Sequence, residues 1–419
     1  MSAIHHILII IFLIAVVLGA GCTQPAAQEP ATQQTTAQPQ QALAVPVEKM
    51  TVPFAPVPVP STDGVNIAYE LELTPAGDPA AIVPDKVDVI NAVTGTVLYT
   101  SDAELLASTY RPAADPLPTA EELKAGTGKV PVPRIPIWFK VSPDAVPDRL
   151  THRLTLNRTA SGQPPVTITG GDVTVRTDLS PVAIGPPVRG PGWAALETTG
   201  PETHHFLAQI TMNGVTRVPQ RYAQDWVYLD PVTGQAAHDD ASLAKNYYGY
   251  GKDVYSVEAG TVVDVLDGLP DVEKIYSAPP ATIPTMAGNY VIVDIGNKKY
   301  ACYAHLAPGS IRVKTGDVVK EGQGLGQVGN SGNSDLPHLH FQVVTGTPSF
   351  LGAEGYPHMY RSFDLIGGVN QTLAEEMKSR PGYNINRVWA EFGKVVTFLP
   401  QRVSYNNRLP ENGAVVWFA

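Results

Sequence analysis

The chain has 419 residues, more than an ordinary single domain, so two folded units are expected. It carries 39 Asp and Glu against 29 Lys and Arg with no basic cluster, which argues against nucleic acid as a partner. Its 39 Pro and 37 Gly favour short strands and turns over long helices.

Residues 7–18 form an apolar run too short for a membrane span. Gly19-Ala20-Gly21-Cys22 follows, and small residues before a lone Cys resemble a lipoprotein signal. Residues 1–22 are therefore expected to be a signal segment, although it carries His5 and His6 and no Lys or Arg. On this expectation the body is exported and held at the outer face of a cell-envelope membrane through a lipid on Cys22. Residues 23–44 are Gln, Ala, Thr and Pro with almost no charge, a linker unable to bury enough surface to fold. With Cys22 lipidated only Cys302 remains, which excludes an intramolecular disulfide and a cysteine-built zinc site.

Residues 45–190 alternate apolar and polar positions in short runs broken by Pro and Gly, as in Val65-Asn66-Ile67-Ala68-Tyr69 and Ile137-Trp138-Phe139-Lys140-Val141. The spacing predicts an immunoglobulin-like β-sandwich. A short helix is expected over 119–125, opened by Thr119 with Glu121 and Glu122 in its first turn. His152 stands alone and reads as a packing residue. A Pro- and Gly-rich stretch at 184–193 marks the boundary with the next unit.

In residues 191–368 the histidines concentrate: His204, His205, His238, His305, His338, His340 and His358. Strands are expected over 220–229, 260–265, 290–295 and 299–306. The run Leu336-Pro337-His338-Leu339-His340-Phe341 also reads as a strand, which places His338 and His340 on one face, ~7 Å apart. Two imidazoles on one face can share a metal, or one can bind metal while the other handles a proton. Cys302, of opposite parity to Tyr303 and His305, reads as a buried small residue facing away from them. Beyond 368, a short helix is expected over 373–378 and strands over 388–398 and 413–418. Residues 369–419 are taken as an extension packing on the β domains.

Residues 249–263, Tyr303-Ala304-His305-Leu306, residues 313–323, Gly329-Asn330-Ser331-Gly332 and His338-Leu339-His340-Phe341 occur in an order that resembles the LytM-type M23 metallopeptidases. The resemblance implies an antiparallel β peptidase domain, Zn2+ as cofactor, and a peptide substrate, typically a cross-link or stem of a bacterial cell wall. It implies His340 and Asp225 as zinc ligands and His305 and His338 as catalytic histidines. The family's remaining ligand is a His four residues before the Asp. Here that position is Arg221, which cannot give up its proton to bind a metal. His205 is the candidate replacement, brought back toward Asp225 by a hairpin turning at Asn213-Gly214, with His204 and His238 as alternatives. Two functions follow: a membrane-tethered zinc endopeptidase, or a degenerate LytM-like module that binds wall peptides or activates a partner without cleaving.

Overall fold

The computed structural model describes residues 45–112, 132–159, 162–212, 215–280, 282–379 and 385–419. The expected signal segment, linker, helix at 119–125 and the Asn213-Gly214 turn lie outside the described residues. No helix among those described is long and apolar enough to cross a membrane.

The architecture is all-β, as the composition implies. Strands β1 (Val47–Thr51), β2 (Val59–Ser61), β3 (Gly64–Pro75), β4 (Pro84–Asn91), β5 (Val97–Ser101), β6 (Arg134–Val141), β7 (Arg149–Leu156) and β8 (Val166–Thr174) make two antiparallel sheets. One has the order β1-β3-β2 with β6 on the other side of β3, and the second runs β5-β4-β7-β8. Helix α1 (Ala103–Thr109) is opened by Asp102, whose carboxylate accepts the Leu105 N–H at 3.0 Å, and it sends Leu106 into the core. Period-two alternation gives β3 two different faces. Ile67, Tyr69, Leu71 and Leu73 enter the sandwich core, and Ile135, Ile137 and Phe139 of β6 join them. Asn66, Ala68 and Glu70 point the other way with Trp138, yet all four are buried. The outer face of this sheet is therefore covered by the rest of the chain.

His152 is a packing residue. Its Nδ1–H donates to the Gly171 carbonyl at 3.0 Å, leaving Nε2 to accept from the Tyr69 hydroxyl at 2.7 Å. Burial pushes its pKa down to about 4.

The remainder of the chain builds a larger sheet. In chain order its strands are β9 (Val182–Ile184), β10 (Gly190–Leu196), β11 (Ile210–Met212), β12 (Val215–Arg217), β13 (Gln224–Tyr228), β14 (Asp253–Tyr255), β15 (Gly260–Leu266), β16 (Asn289–Asp294), β17 (Lys299–Leu306), β18 (Val318–Val319), β19 (Gly324–Gln327), β20 (Leu339–Thr345), β21 (Glu354–Gly355), β22 (His358–Val369), β23 (Val396–Arg408) and β24 (Ala414–Phe418). The main path is β18-β15-β16-β17-β20-β13-β10-β24-β22-β23, while β11 with β12 and β14 with β19 form separate two-stranded ribbons. The C-terminal strands are thus hydrogen-bonded into the sheet rather than laid against it. β24 lies between β10 and β22, so the boundaries expected at 190 and 368 both fall inside one sheet.

Three local expectations are corrected. The strand expected at 220–229 begins only at Gln224, because residues 219–222 form a turn closed by Arg221 N–H to the Val218 carbonyl. The His-x-His strand begins at Leu339, so His338 sits in the bend before it. Pro337 has no N–H to give a ladder, and the Ser334 hydroxyl donates back to the Leu336 carbonyl at 3.0 Å. Residues 388–398 are not one strand. Helix α4 (Ile385–Ala390) and a single 3-10 turn precede β23, and the Trp389 and Phe392 rings stack at 4.6 Å. Helix α3 (Gln371–Ser379) covers the helix expected at 373–378. The other helix, α2 (His204–Leu207), carries two of the histidines.

Candidate metal centre

The centre of the sheet is β17-β20-β13, and register brings their polar residues together. Asp225 of β13 and Ala304 of β17 are both paired with His340 of β20, which puts Asp225 and His340 side by side on one face. Alternation would send His305 to the opposite face, with Tyr303. It does not, because β17 bulges here: Ala304 and His305 together oppose Tyr290 between the Asn289–Leu306 and Val291–Tyr303 pairs. His305 takes φ +61°, an uncommon conformation for a non-glycine residue, and its ring swings to 5.9 Å from His340 and 4.9 Å from His338. This corrects the parity argument for Cys302. It is buried as expected, but its side of the sheet is the side His305 has joined.

His205 reaches the same place from α2. Its ring lies 4.7 Å from that of His340, and its Nε2 is 3.4 Å from Asp225 Oδ1. His340 Nδ1 is 3.0 Å and His338 Nε2 is 3.3 Å from the same oxygen. Two partly separate ligand sets meet at this point, His305 with His338 and His340, and His204 with His205 and Asp225.

Second hydrogen bonds fix each imidazole's tautomer. The Nδ1–H groups of His205, His305 and His338 donate to the carbonyls of Glu197 (2.8 Å), Ser331 (2.8 Å) and Leu336 (2.7 Å). The Gln342 amide donates to the Phe350 carbonyl at 2.9 Å, so its oxygen must face His340 and accept the Nε2–H at 2.8 Å. In the neutral rings the nitrogens turned toward Asp225 are therefore lone pairs. Three lone pairs around one carboxylate oxygen repel unless a cation lies among them. Tetrahedral zinc with bonds of ~2.0–2.1 Å has ligand–ligand edges of ~3.3 Å, comparable to the 3.4 Å and 3.0 Å that separate His205 Nε2 and His340 Nδ1 from Asp225 Oδ1. Imidazole nitrogen and carboxylate oxygen, each imidazole held by an outer carbonyl, is a donor set that fits zinc.

Depth separates the histidines. His205 and His340 are 1% and 2% exposed, whereas His305 and His338 are 7% and 8% exposed and face the cleft. Burial raises the Asp225 carboxyl, but His205 and His338 overcome it and hold the group well below the usual carboxylate range. Burial, then His338 and His340, push His305 well down. For His338 burial pulls down, and Asp225 outweighs it and raises the pKa.

The cleft has a volume of about 600 Å3. One wall is the histidine cluster. The opposite wall is apolar and comes from the C-terminal segment: Ala374 of α3, Val388 and Trp389 of α4, and Phe392. The Trp389 indole N–H donates to the Tyr276 hydroxyl at 3.0 Å, tying this wall to the loop after β15. The sequence pointed to a helix and a strand here and gave no sign that they line the site.

Of the other candidates, His204 borders the cluster, and His238 and His358 lie outside it. His238 is half exposed beside Asp239, and His204 is exposed and paired with Glu197 at 3.1 Å. His358 is buried against the Gln224 amide oxygen at 3.1 Å, a structural place. Arg221 points away from Asp225. Its guanidinium is 3% exposed and bonded to both Glu70 of β3 and Glu354 of β21.

Residues 245–350 match the family model described as Peptidase family M23. Peptidoglycan DD-endopeptidase ShyA of Vibrio cholerae serotype O1 is 44% identical over 63 residues, 15% of this chain and 14% of that protein. Peptidoglycan DD-endopeptidase ShyB of the same organism is 30% identical over 144 residues, 32% of this chain and 29% of that protein. The chain thus spans less than a third of the length of these curated relatives. Among solved structures, a zinc-containing peptidase from Vibrio cholerae overlaps 71% of this chain and 83% of its own, at 14% identity and a TM-score of 0.23. The catalytic domain of lysostaphin from Staphylococcus simulans overlaps 40% and 84%, at 23% identity and a TM-score of 0.21.

Proposed function

We propose that this chain, which carries a domain of peptidase family M23 over residues 245–350, is an extracytoplasmic zinc endopeptidase acting on cell-wall peptides. The observation that carries the reading is the ring of three bare imidazole nitrogens within 3.0–3.4 Å of one Asp225 oxygen. His205 and His340, the deepest of the histidines here, would hold the metal together with Asp225. A zinc ion there supplies a Lewis acid for the scissile carbonyl and lowers the pKa of a bound water toward ~7. His305 and His338 face the cleft with Nδ1–H tied to carbonyls, which leaves Nε2, in His338 beside Asp225, as the atom that would hold or move a proton at the reacting carbonyl and water. The apolar wall of Trp389 and Phe392 excludes water from the other side and leaves room for an extended peptide. A lipid on Cys22 would hold the enzyme at the membrane surface.

The rival reading, a module that binds without cleaving, rests on Arg221. It loses force because Arg221 is engaged with Glu70 and Glu354 while His205 Nε2 lies 3.4 Å from Asp225, where it could serve as the donor. The test is metal content together with hydrolysis of isolated wall peptides. Stoichiometric zinc that is lost with His340→Ala, and turnover lost with it, is the expected result. Purified chain that takes up no zinc even when zinc is supplied refutes the proposal.

A further inference from the structure

The ligand assigned to His205 sits on α2, a helix of one turn, and a single turn has almost no stability of its own. Its N-terminus is capped by the Thr203 hydroxyl, which accepts the Phe206 N–H at 3.4 Å, and by the Glu197 carboxylate, which accepts the His204 N–H at 3.0 Å. What holds it is Phe206, the residue after the ligand, which is fully buried. Phe206 packs in a cluster with Val59, Ala68 and Trp138 from the sandwich and with Val218, Tyr222 and Leu409 from the large-sheet region. Trp138 meets Phe206 edge-on at 5.1 Å and Tyr222 at 5.6 Å. The indole is itself fixed, since its N–H donates to Asn66 at 2.8 Å and Asn66 donates to Glu411 at 3.0 Å. Glu411 in turn accepts from the Thr199 hydroxyl at 2.7 Å, close in sequence to Glu197, whose carbonyl orients His205. His340 and Asp225, by contrast, stand on paired central strands.

We propose that the N-terminal sandwich is a structural part of the metal centre: Trp138 of β6 seats Phe206, and this seat aims His205 at Asp225. Trp138 is a positioning residue, with Phe206 as its lever. The inference rests on the reading of His205 as a ligand. It also implies that the large-sheet region without the sandwich, residues 45–175, would keep His340 and Asp225 on their paired strands and lack the third donor.

The experiment measures Zn2+ affinity of the full chain at 20 °C by competition with a chelator, beside the thermal melt of each variant. Trp138→Ala is expected to weaken zinc binding by about 10–100-fold, the loss typical when the outer support of a metal ligand is removed. Trp138→Phe, which keeps an aromatic face for Phe206, is expected to recover most of it. A role in stability alone would lower the melt without moving the affinity at a temperature where the variant is folded. Folded Trp138→Ala that binds zinc as the parent does overturns the inference. Should Trp138→Ala not melt cooperatively, Phe206→Leu is read in its place by the same criterion. His205→Ala separates the two levels. Unchanged affinity there refutes the ligand reading, whereas lost affinity there with normal affinity in Trp138→Ala refutes only the role of the sandwich.

Discussion

Arg221 stands where a fourth imidazole was expected, and the structure gives it another task that can be measured. One guanidinium lies between two buried carboxylates, with Nη2 2.8 Å from Glu70 Oε2 and Nε 3.2 Å from Glu354 Oε1. Glu70 is fully buried and Glu354 is 7% exposed. Arg221→Met keeps much of the side-chain volume and leaves both carboxylates without a cation. Breaking a buried pair in this way costs about 3–5 kcal/mol at a pH where the acids are charged. The pH dependence has a definite sign. Burial pushes the Glu354 carboxyl up to about 7 against the pull of Arg221, so the fold favours its protonated form. Glu354's contribution is therefore full below its unfolded value near 4.5 and is lost as pH rises through about 7. The Arg221→Met penalty should accordingly be largest at pH 8 and shrink by pH 5.5. Urea unfolding followed by tryptophan fluorescence at the two pH values reads it directly. A loss below about 1 kcal/mol at pH 8 would mean the triad does not hold the two sheets together. A companion variant, Arg221→His, tests the geometry. Because the 219–222 turn aims this side chain at Glu70, the new imidazole should not restore zinc to a His205→Ala chain, and restoration would refute the argument.

The cleft-facing histidines give a second expectation: His338→Gln should keep its zinc and lose about 10²–10⁴-fold in kcat. Loss of the metal in that variant would instead make His338 a ligand. The sandwich gives a third. His152 falls from 6.5 to about 4 on folding because it is buried, so the unfolded chain binds the extra proton between those values. Stability from this group is complete above about 6.5 and declines by about 3 kcal/mol as pH falls to 4, at 1.36 kcal/mol per unit. His152→Gln retains a partner for Tyr69 and should flatten that part of the acid limb, and superimposable slopes for the two chains would refute the assignment.

Much of the site was legible because its signals are local. Tyr303-Ala304-His305, His338-Leu339-His340 and Asp225 lie in or beside short strands whose alternation and turns are written in neighbouring residues. What escaped the sequence depends on distant packing. His305 joins the site only through a bulge opposite Tyr290, and no periodicity announces a single residue at φ +61°. The C-terminal run 414–418 reads plainly as a strand, but its partners β10 and β22 are fixed by the whole sheet. Residues 388–390 were expected in a strand because Val and Trp favour one. They are helical where Val388, Trp389 and Phe392 pack in the cluster formed with Ala374 and Met377, a tertiary contact that outweighs the local preference.

The proposed ligand set divides in the same way. A His at position 221 would lie in the turn that leads directly into the Asp225 strand. On the proposed ligand set the donor sits instead on α2, which has too few backbone hydrogen bonds to fix a ring by itself. The polar and aromatic residues on the outward face of β3 and β6 then acquire a reason: Glu70 fixes the turn preceding Asp225 through Arg221, and Trp138 backs Phe206 beside His205. A sandwich serving only as a spacer would have solvated polar residues on that face, because alternation places them outside the core. Glu70 and Asn66 are instead fully buried with their bonds made across the junction. On the proposed ligand set, Arg221 serves structure rather than metal, and its pairing with Glu70 fastens the sandwich whose Trp138 packs on Phe206 beside His205.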